Sequence, residues 1–287
     1  MKAWILAARP KTLPAAIVPV WVGSAPSLLG EHSGTGSWLL FWCTLGSCIC
    51  IQIATNLFND AIDHHKGADT GKRIGPTRVT SSGLLSSKMV MIGAIAFCLL
   101  AALISIPLVQ ARGWPVIVIG LVSLYFAYGY TGGPFPLAYR GMGELFVILF
   151  FGLVAVLGSA FIQTGEAGGR EMWILAVQCG FYSCVLIAIN NLRDLTEDRE
   201  TGKRTLAVRF GERFAKWEIA FFCLAPAIPG LVQFPDMKDL FVQPIPMLAF
   251  GLFLSVLIFR TPPGPVYNRF LALGALQLIL FAILQGV

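Results

Sequence analysis

The sequence predicts an all-α fold, a polytopic bundle of about nine helices that each cross a membrane. Composition is the first indication. Of the 287 residues, 56% are hydrophobic and only 13% are charged, and the mean hydropathy is +0.74. A soluble globular domain carries about 25% charged residues. The composition therefore excludes an ordinary soluble domain and indicates a protein embedded in lipid.

Apolar segments of sufficient length are the second indication. A membrane helix needs about 20 mostly apolar residues, and several stretches of the chain approach or meet this requirement. Some of them contain Pro or Gly, which lipid-buried helices tolerate where neighbouring groups satisfy the freed carbonyls. The predicted helices cover residues 13–30, 37–58, 89–109, 114–131, 144–164, 171–191, 217–234, 240–259 and 270–286.

The distribution of Lys and Arg is the third indication. On the two sides of this nine-helix arrangement the basic residues divide 18 to 3, which accounts for all 21. Cytoplasmic loops are enriched in Lys and Arg. The asymmetry predicts a cytoplasmic N-terminus, an external C-terminus and two long cytoplasmic loops, about 59–88 and 192–216. The net charge of +6 therefore reflects membrane topology and anion ligands, and we expect a lipid bilayer and no nucleic acid as partner.

A first polar cluster follows the second apolar segment. If the helix continues through it, Gln52 and Asn56 lie four residues apart on one helical face. Asp60 and Asp63 follow Asn56 at intervals of four and three, so they extend the same face. Polar groups at a membrane helix are costly and usually functional.

A second cluster repeats this arrangement after the sixth apolar segment. Asn190, Asp194 and Asp198 recur every four residues, with Glu197 beside them. The clusters at 56–63 and 190–198 resemble each other. This internal similarity predicts a single domain, 1–287, of two pseudo-repeated halves that share one site. Two facing carboxylate stripes repel each other unless a cation lies between them. Oxygen donors of Asp and Asn suit Mg²⁺, which commonly shares its shell with substrate phosphates.

Basic residues follow each acidic cluster. Lys66, Lys72 and Arg73 come after the first, and Lys203 comes after the second. Such side chains can bind phosphate oxygens, but they are equally typical of solvated positive-inside loops. His64 and His65 have no third His or Cys close in sequence, so we interpret them as loop residues rather than zinc ligands.

A third segment, 127–141, closes the fourth predicted helix and is rich in Gly, Pro and Tyr. It carries Tyr130, Tyr139 and Arg140. These side chains are compatible with a cap over a substrate and equally with aromatic anchors at the membrane interface.

These clusters resemble the UbiA-type superfamily of intramembrane aromatic prenyltransferases. Within it the chain is most similar to the 1,4-dihydroxy-2-naphthoate polyprenyltransferases of menaquinone synthesis. The similarity covers most of the chain, and the paired acidic motifs are its most specific part. The similar stretches are residues 8–16 (ARPKTLPAA), 56–63 (NLFNDAID), 130–137 (YTGGPFPL) and 190–208.

The resemblance implies helices around a central cavity capped by cytoplasmic loops, in the cytoplasmic (inner) membrane. It implies Mg²⁺-dependent transfer of a polyprenyl group from polyprenyl diphosphate to 1,4-dihydroxy-2-naphthoate, with decarboxylation to demethylmenaquinone. Alternatives are another aromatic acceptor, 4-hydroxybenzoate or homogentisate, or, in a different class of protein, a secondary transporter.

The resemblance also implies roles for individual residues. The Tyr-x-x-x-Lys element of many relatives is absent in that form, so Tyr139 or Arg140 is expected to take its catalytic place. The metal ligands would be Asn56, Asp60, Asp63, Asp194 and Asp198, of which the four aspartates also serve catalysis. The shell around the diphosphate and metal would comprise Asn56, Lys66, Lys72, Arg73, Asn190 and Lys203.

Overall fold

A computed structural model describes residues 2–29, 36–67, 74–229 and 244–285, and within them the fold is all-α, as predicted. A π-helix, Ile148–Leu157, connects the α-helices Gly143–Val147 and Gly158–Thr164 without a break. The α-helices are α1 Lys2–Ala8, α2 Pro14–Leu29, α3 Trp38–His65, α4 Ser87–Ile104, α5 Ile106–Arg112, α6 Trp114–Gly129, α7 Gly143–Val147, α8 Gly158–Thr164, α9 Arg170–Arg193, α10 Leu195–Glu200, α11 Leu206–Leu224, α12 Pro244–Arg260 and α13 Tyr267–Leu284.

Each of the nine predicted segments overlaps at least one of these helices. Within the described ranges, five helical runs are long and apolar enough to cross a membrane, and a sixth results if the bent pair of Lys2–Thr12 and Pro14–Leu29 counts as one span. Trp114–Gly129 and Pro244–Arg260 are apolar but shorter. The exact number of nine crossings therefore stays a prediction. The five runs are Trp38–His65, Ser87–Arg112, Gly143–Thr164, Arg170–Arg193 and Tyr267–Leu284.

The less basic connections meet at one end of the bundle. Ser37, which begins α3, donates its backbone N–H to Gln163 Oε1 at 2.7 Å. Arg112, at the end of α5, donates from Nη2 to the Gln163 carbonyl at 2.6 Å and from Nε to the Ile162 carbonyl at 2.9 Å. These three residues come from different connections on the side with few basic residues. The structure thus places these three connections at the same end of the bundle.

Helix α9 lies at the centre of the larger hydrophobic core and makes close backbone contact with the π-helix. A Cβ atom at Gly180 would lie 3.1 Å from Ile148 Cα and 3.2 Å from Gly152 Cα. Small residues allow such close approach of helices in membranes. The contact holds α9, which ends at the second acidic cluster, against the run that begins at Gly143.

The chain bends sharply between α1 and α2. Arg9 has a φ of 52° and is the only non-glycine with positive φ among the described residues; this conformation is strained for a long side chain. The bend lays the α1–α2 junction over α3, because Asn56 Nδ2 donates to the Ala8 carbonyl at 2.9 Å and to Thr12 Oγ1 at 3.1 Å. The first acidic cluster is thereby joined to the N-terminal segment.

Candidate active site

A polar cavity of about 750 Å³ lies at the end of the bundle where the basic connections converge. Its walls come from the α1–α2 junction, the end of α3, the loop at 75–78, the start of α7 and the residues that follow α9. Six residues predicted from the acidic and basic clusters share this cavity. They are Asn56, Asp63, Asn190, Asp194, Asp198 and Lys203.

The first acidic cluster lies on α3, which continues through it as predicted. The structure differs from the predicted stripe at one position, since Asn59 lines the cavity and Asp60 does not. At 3.6 residues per turn, Asp60 is rotated to the edge of the face that carries Asn56 and Asp63. Its buried carboxylate accepts the backbone N–H groups of Val79 at 3.2 Å and Thr80 at 3.1 Å, and also the Thr80 hydroxyl.

Asp63 is held by cations from two separate loops. Its Oδ2 lies 3.1 Å from Arg78 Nη2 and 3.0 Å from Lys203 Nζ, and its Oδ1 accepts a 2.8 Å hydrogen bond from the Tyr139 hydroxyl. The Tyr139 ring lies near two ammonium groups, with its centroid 4.1 Å from Lys66 Nζ and 5.2 Å from Lys203 Nζ. Cations within about 6 Å of an aromatic ring are attracted to it. Tyr139 therefore orders both lysines around the acid without lining the cavity itself.

The second acidic cluster is not on one continuous helix. Helix α9 ends at Arg193, Asp194 departs from helical geometry, and α10 begins at Leu195. The predicted spacing nevertheless brings Asp194 and Asp198 to the same cavity, because the Asp198 backbone N–H still bonds to the Asp194 carbonyl at 2.8 Å.

Charges around these two acids differ. Asp194 accepts two 2.7 Å hydrogen bonds from Arg193 Nε and Nη2, a bidentate pair. Burial raises the pKa of Asp198 to about 7; the charge of Lys203 opposes this shift, and Asp194 and Asp63 add to it. The cavity thus holds several acids close enough to disfavour one another's ionised forms, an arrangement that a bound cation relieves.

Besides Asp60, three predicted residues lie beside the cavity rather than on it. Lys66 donates to the Thr131 carbonyl at 2.7 Å, and Tyr139 donates its hydroxyl to Asp63. Arg140 is exposed, with its Cζ 3.5 Å from the Phe135 ring centroid. Lys72 and Arg73 fall outside the described residues.

A second, apolar cavity of about 270 Å³ adjoins the polar one and extends between the helices. The π-helix contributes Phe150 and Val154 to its wall, and α6 contributes Val116 and Gly120. π-Helical turns occur frequently at functional sites. Six residues line both cavities and therefore mark the passage between them: Thr12, Asn56, Asn59, Tyr130, Ile187 and Asn190.

Residues 16–279 match the UbiA prenyltransferase family. The chain belongs to this family. It is similar to the 1,4-dihydroxy-2-naphthoate octaprenyltransferase of Haemophilus influenzae, with 32% identity over 87% of this chain and 84% of the relative. The protein of the same name from Mycobacterium tuberculosis is 34% identical over 92% of this chain and 85% of its own length.

The fold is similar to that of a UbiA homolog from Archaeoglobus fulgidus bound to DMAPP and Mg²⁺, with a TM-score of 0.66 and 14% identity over 99% of this chain and 100% of that chain. The family match over residues 16–279 confirms the resemblance inferred from the sequence, and the similarity to the solved structure supports the all-α fold. This UbiA-family chain is a prenyltransferase and a multi-pass membrane protein.

The donor set on the polar cavity of this prenyltransferase fits a magnesium ion. Asp63, Asp194 and Asp198 supply carboxylate oxygens, and Asn56 and Asn190 supply amide oxygens. Among the described residues, no three His, Cys, Asp or Glu side chains form a ready-made group around one point. Mg²⁺ is typically bound through one or two carboxylates together with water and substrate phosphates, so such a group is not required.

The sequence interpretation assigned no role to several residues that line the polar cavity. Asn59 flanks Asn56 and Asp63 on the helical face that lines the cavity, and helical geometry could have indicated it. Glu144 lies at the start of the apolar run Gly143–Thr164, and an acid at the edge of a membrane helix is a functional signal. Asn268 accepts a 2.8 Å hydrogen bond from Arg193, one of the basic residues of the second cluster; the two residues are far apart in sequence, so no local pattern indicates Asn268.

Proposed function

We propose that this prenyltransferase transfers a polyprenyl group from polyprenyl diphosphate to 1,4-dihydroxy-2-naphthoate with loss of CO₂, and so forms demethylmenaquinone. The observation that carries the proposal is the junction of the two cavities. One is polar and holds acids and cations; the other is apolar and lies between helices. A prenyl diphosphate has the same two parts, a charged headgroup and a hydrocarbon chain.

The polar cavity would hold the diphosphate. Arg9, Arg78 and Lys203 bring positive charge to its wall, and guanidinium groups bind phosphate oxygens with two parallel hydrogen bonds. Asp63, Asp194 and Asp198 would hold Mg²⁺, with Asn56 and Asn190 in the surrounding shell. Bound Mg²⁺ supplies charge that neutralises the departing diphosphate.

The apolar cavity would hold the prenyl chain. Its wall of aromatic and aliphatic side chains keeps water from the allylic carbon, which would otherwise be converted to an alcohol. Tyr130 and Ile187 lie at the passage between the cavities, so the ring acceptor would be placed there, beside the allylic carbon.

The acceptor follows from the relatives. Proteins similar to this chain over most of its length are named 1,4-dihydroxy-2-naphthoate octaprenyltransferases. A fused bicyclic acceptor also presents more apolar area to a dry passage than 4-hydroxybenzoate does. One additional ring at about 25 cal/mol per Å² contributes on the order of 1–2 kcal/mol.

The expected location is the cytoplasmic membrane, with the polar cavity open to the cytoplasm. Its wall comes from connections on the side that carries 18 of the 21 basic residues, which is the cytoplasmic side by the positive-inside rule. A water-soluble acceptor and a charged diphosphate would enter from this side.

The test is an assay of purified protein with geranylgeranyl diphosphate, a panel of aromatic acids and MgCl₂, scored by mass spectrometry. We expect a decarboxylated prenyl-naphthalenediol, and no product when EDTA replaces MgCl₂. Uptake of the acceptor into proteoliposomes without any prenylated product would instead support a transporter.

A further inference from the structure

Glu144 is an acid on the polar cavity that neither the metal set nor the diphosphate shell uses. Its side chain is buried, with only 4% of the residue exposed. Oε1 accepts a 2.7 Å hydrogen bond from Asn191 Nδ2, whereas Oε2 has no hydrogen-bond partner within the described part of the chain. Buried polar atoms nearly always have a partner, so Oε2 indicates a group that joins the site from outside the protein.

Glu144 also differs from the other cavity acids in its contacts. Asp63 and Asp194 form ion pairs with basic side chains, and the charge of Lys203 acts on Asp198. Within the described residues, the Glu144 carboxylate accepts its side-chain hydrogen bond from a neutral amide, that of Asn191. A carboxylate whose charge is not matched by a cation is the stronger proton acceptor.

The position of Glu144 places it beside the passage between the cavities. Its neighbour Gly143 is so close to the passage that a Cβ atom there would lie 3.1 Å from the Tyr130 hydroxyl and 2.8 Å from Ile187 Cδ1. Tyr130 and Ile187 line both cavities. Glu144 itself lines the polar cavity, so its carboxylate lies on the polar side of a ring held in this passage.

We propose that Glu144 is a catalytic residue whose carboxylate accepts the proton of an acceptor ring hydroxyl during alkylation. The inference rests on the proposed function, since it requires a hydroxylated aromatic acceptor. The ring carbon next to the hydroxyl-bearing carbon forms a bond to the allylic carbon, and the allylic C–O bond breaks with its electron pair leaving on the diphosphate. The O–H electron pair becomes part of a C=O bond, the proton moves to Glu144, and the ring is left neutral.

The test compares the full-length wild-type protein with Glu144→Gln and Glu144→Asp. Turnover of 1,4-dihydroxy-2-naphthoate is measured alongside Mg²⁺-dependent binding of a thiolodiphosphate analogue of geranylgeranyl diphosphate. General-base groups contribute about 10²- to 10⁴-fold, so Glu144→Gln should lower kcat at least about 100-fold. Glu144→Asp should restore part of the rate, and both variants should bind the analogue within about twofold of wild type. That binding also shows that the variants are folded.

A second measurement separates proton acceptance from packing. The two monomethyl ethers of the acceptor each lack one hydroxyl proton. One of these ethers is methylated at the hydroxyl that Glu144 would deprotonate. With this ether, wild type and Glu144→Gln should have the same low kcat.

Three outcomes overturn the inference while leaving the proposed function intact. The first is a near-normal kcat in Glu144→Gln, and the second is a parallel loss of analogue binding. The third is an equal decrease in the kcat of Glu144→Gln with the diol and with both ethers. If the wild type prenylates no hydroxylated ring, the proposed function and this inference fail together.

Discussion

Lys203 Nζ lies 3.0 Å from Asp63 Oδ2, although 140 positions separate the two residues in the chain. The contact joins the loop after α10 to the end of α3, and so connects the two acidic clusters. Lys203 also lies on the cavity, and in the proposed function it would exchange its carboxylate partner for a diphosphate oxygen.

Replacing Lys203 by Met should weaken prenyl diphosphate binding, because a charged hydrogen-bond donor is lost. Such bonds contribute about 1.5–3 kcal/mol, so KM for the diphosphate should rise roughly 10- to 100-fold. Lys203→Arg should retain more activity. The matched control is Lys88→Met, since Lys88 is exposed at the start of α4; a similar KM for all four proteins would contradict the proposed role.

Replacing Asp63 or Asp194 by Asn should cut turnover at least about 100-fold, the scale of losing a charge-stabilising group. The Mg²⁺ concentration required for half-maximal rate should rise in both variants, because each loses a carboxylate ligand. Titration of the rate with MgCl₂ provides the measurement. Near-normal turnover at saturating Mg²⁺ in either variant would remove that residue from the metal set.

Asp60→Asn distinguishes two roles for a residue that the sequence pattern predicts as a metal ligand. In the structure its carboxylate accepts two backbone N–H groups of the loop at Val79 and Thr80. If it holds this loop, turnover still falls, the Mg²⁺ half-saturation stays unchanged and the unfolding temperature drops by about 2–4 °C for each kcal/mol lost. A rise in Mg²⁺ half-saturation at an unchanged unfolding temperature would instead establish metal ligation.

Gly120→Phe tests the apolar cavity as the prenyl site. Gly120 lines this cavity, and a Cβ atom there would meet nothing within 4 Å, so the aromatic ring can fill space without backbone strain. The rate with geranylgeranyl diphosphate should fall at least about tenfold relative to geranyl diphosphate, because buried CH₂ groups contribute about 0.8 kcal/mol each. Ile117→Phe, on the exposed face of the same helix, is the control. Equal chain-length preference in both variants would place the prenyl chain elsewhere.

The 18-to-3 division of basic residues predicts membrane orientation. A reporter fused after Val287 should appear on the outer side of the membrane, and one inserted near Gly71 should appear on the cytoplasmic side. If both reporters appear on the same side, the chain crosses the membrane an even number of times between Gly71 and Val287, whereas the predicted number is odd.

Patterns within single helices carried most of the sequence-based prediction. In each acidic cluster the polar residues recur every three or four positions, starting at Asn56 in the first cluster and at Asn190 in the second. A helix places residues with this spacing on one face, so the spacing was sufficient to identify both halves of one cavity. The fold class followed from apolar length and charge placement.

Contacts between distant segments carried the rest. The direction of Asp60 depends on a loop about 20 residues further along, and the position of Tyr139 depends on its hydrogen bond to Asp63, 76 residues away. The position of Glu144 at the start of an apolar run is a functional signal, but its pairing with Asn191 on α9 is a tertiary contact. Local sequence does not encode these tertiary partners.

Competition between two acceptors at limiting geranylgeranyl diphosphate tests the identity of the acceptor. Purified protein with MgCl₂ receives equal concentrations of 1,4-dihydroxy-2-naphthoate and 4-hydroxybenzoate, and products are identified by mass. We expect the bicyclic acid to be prenylated preferentially, by roughly tenfold or more, and its product to have lost CO₂. Preferential prenylation of 4-hydroxybenzoate with retention of its carboxylate would contradict the proposed function.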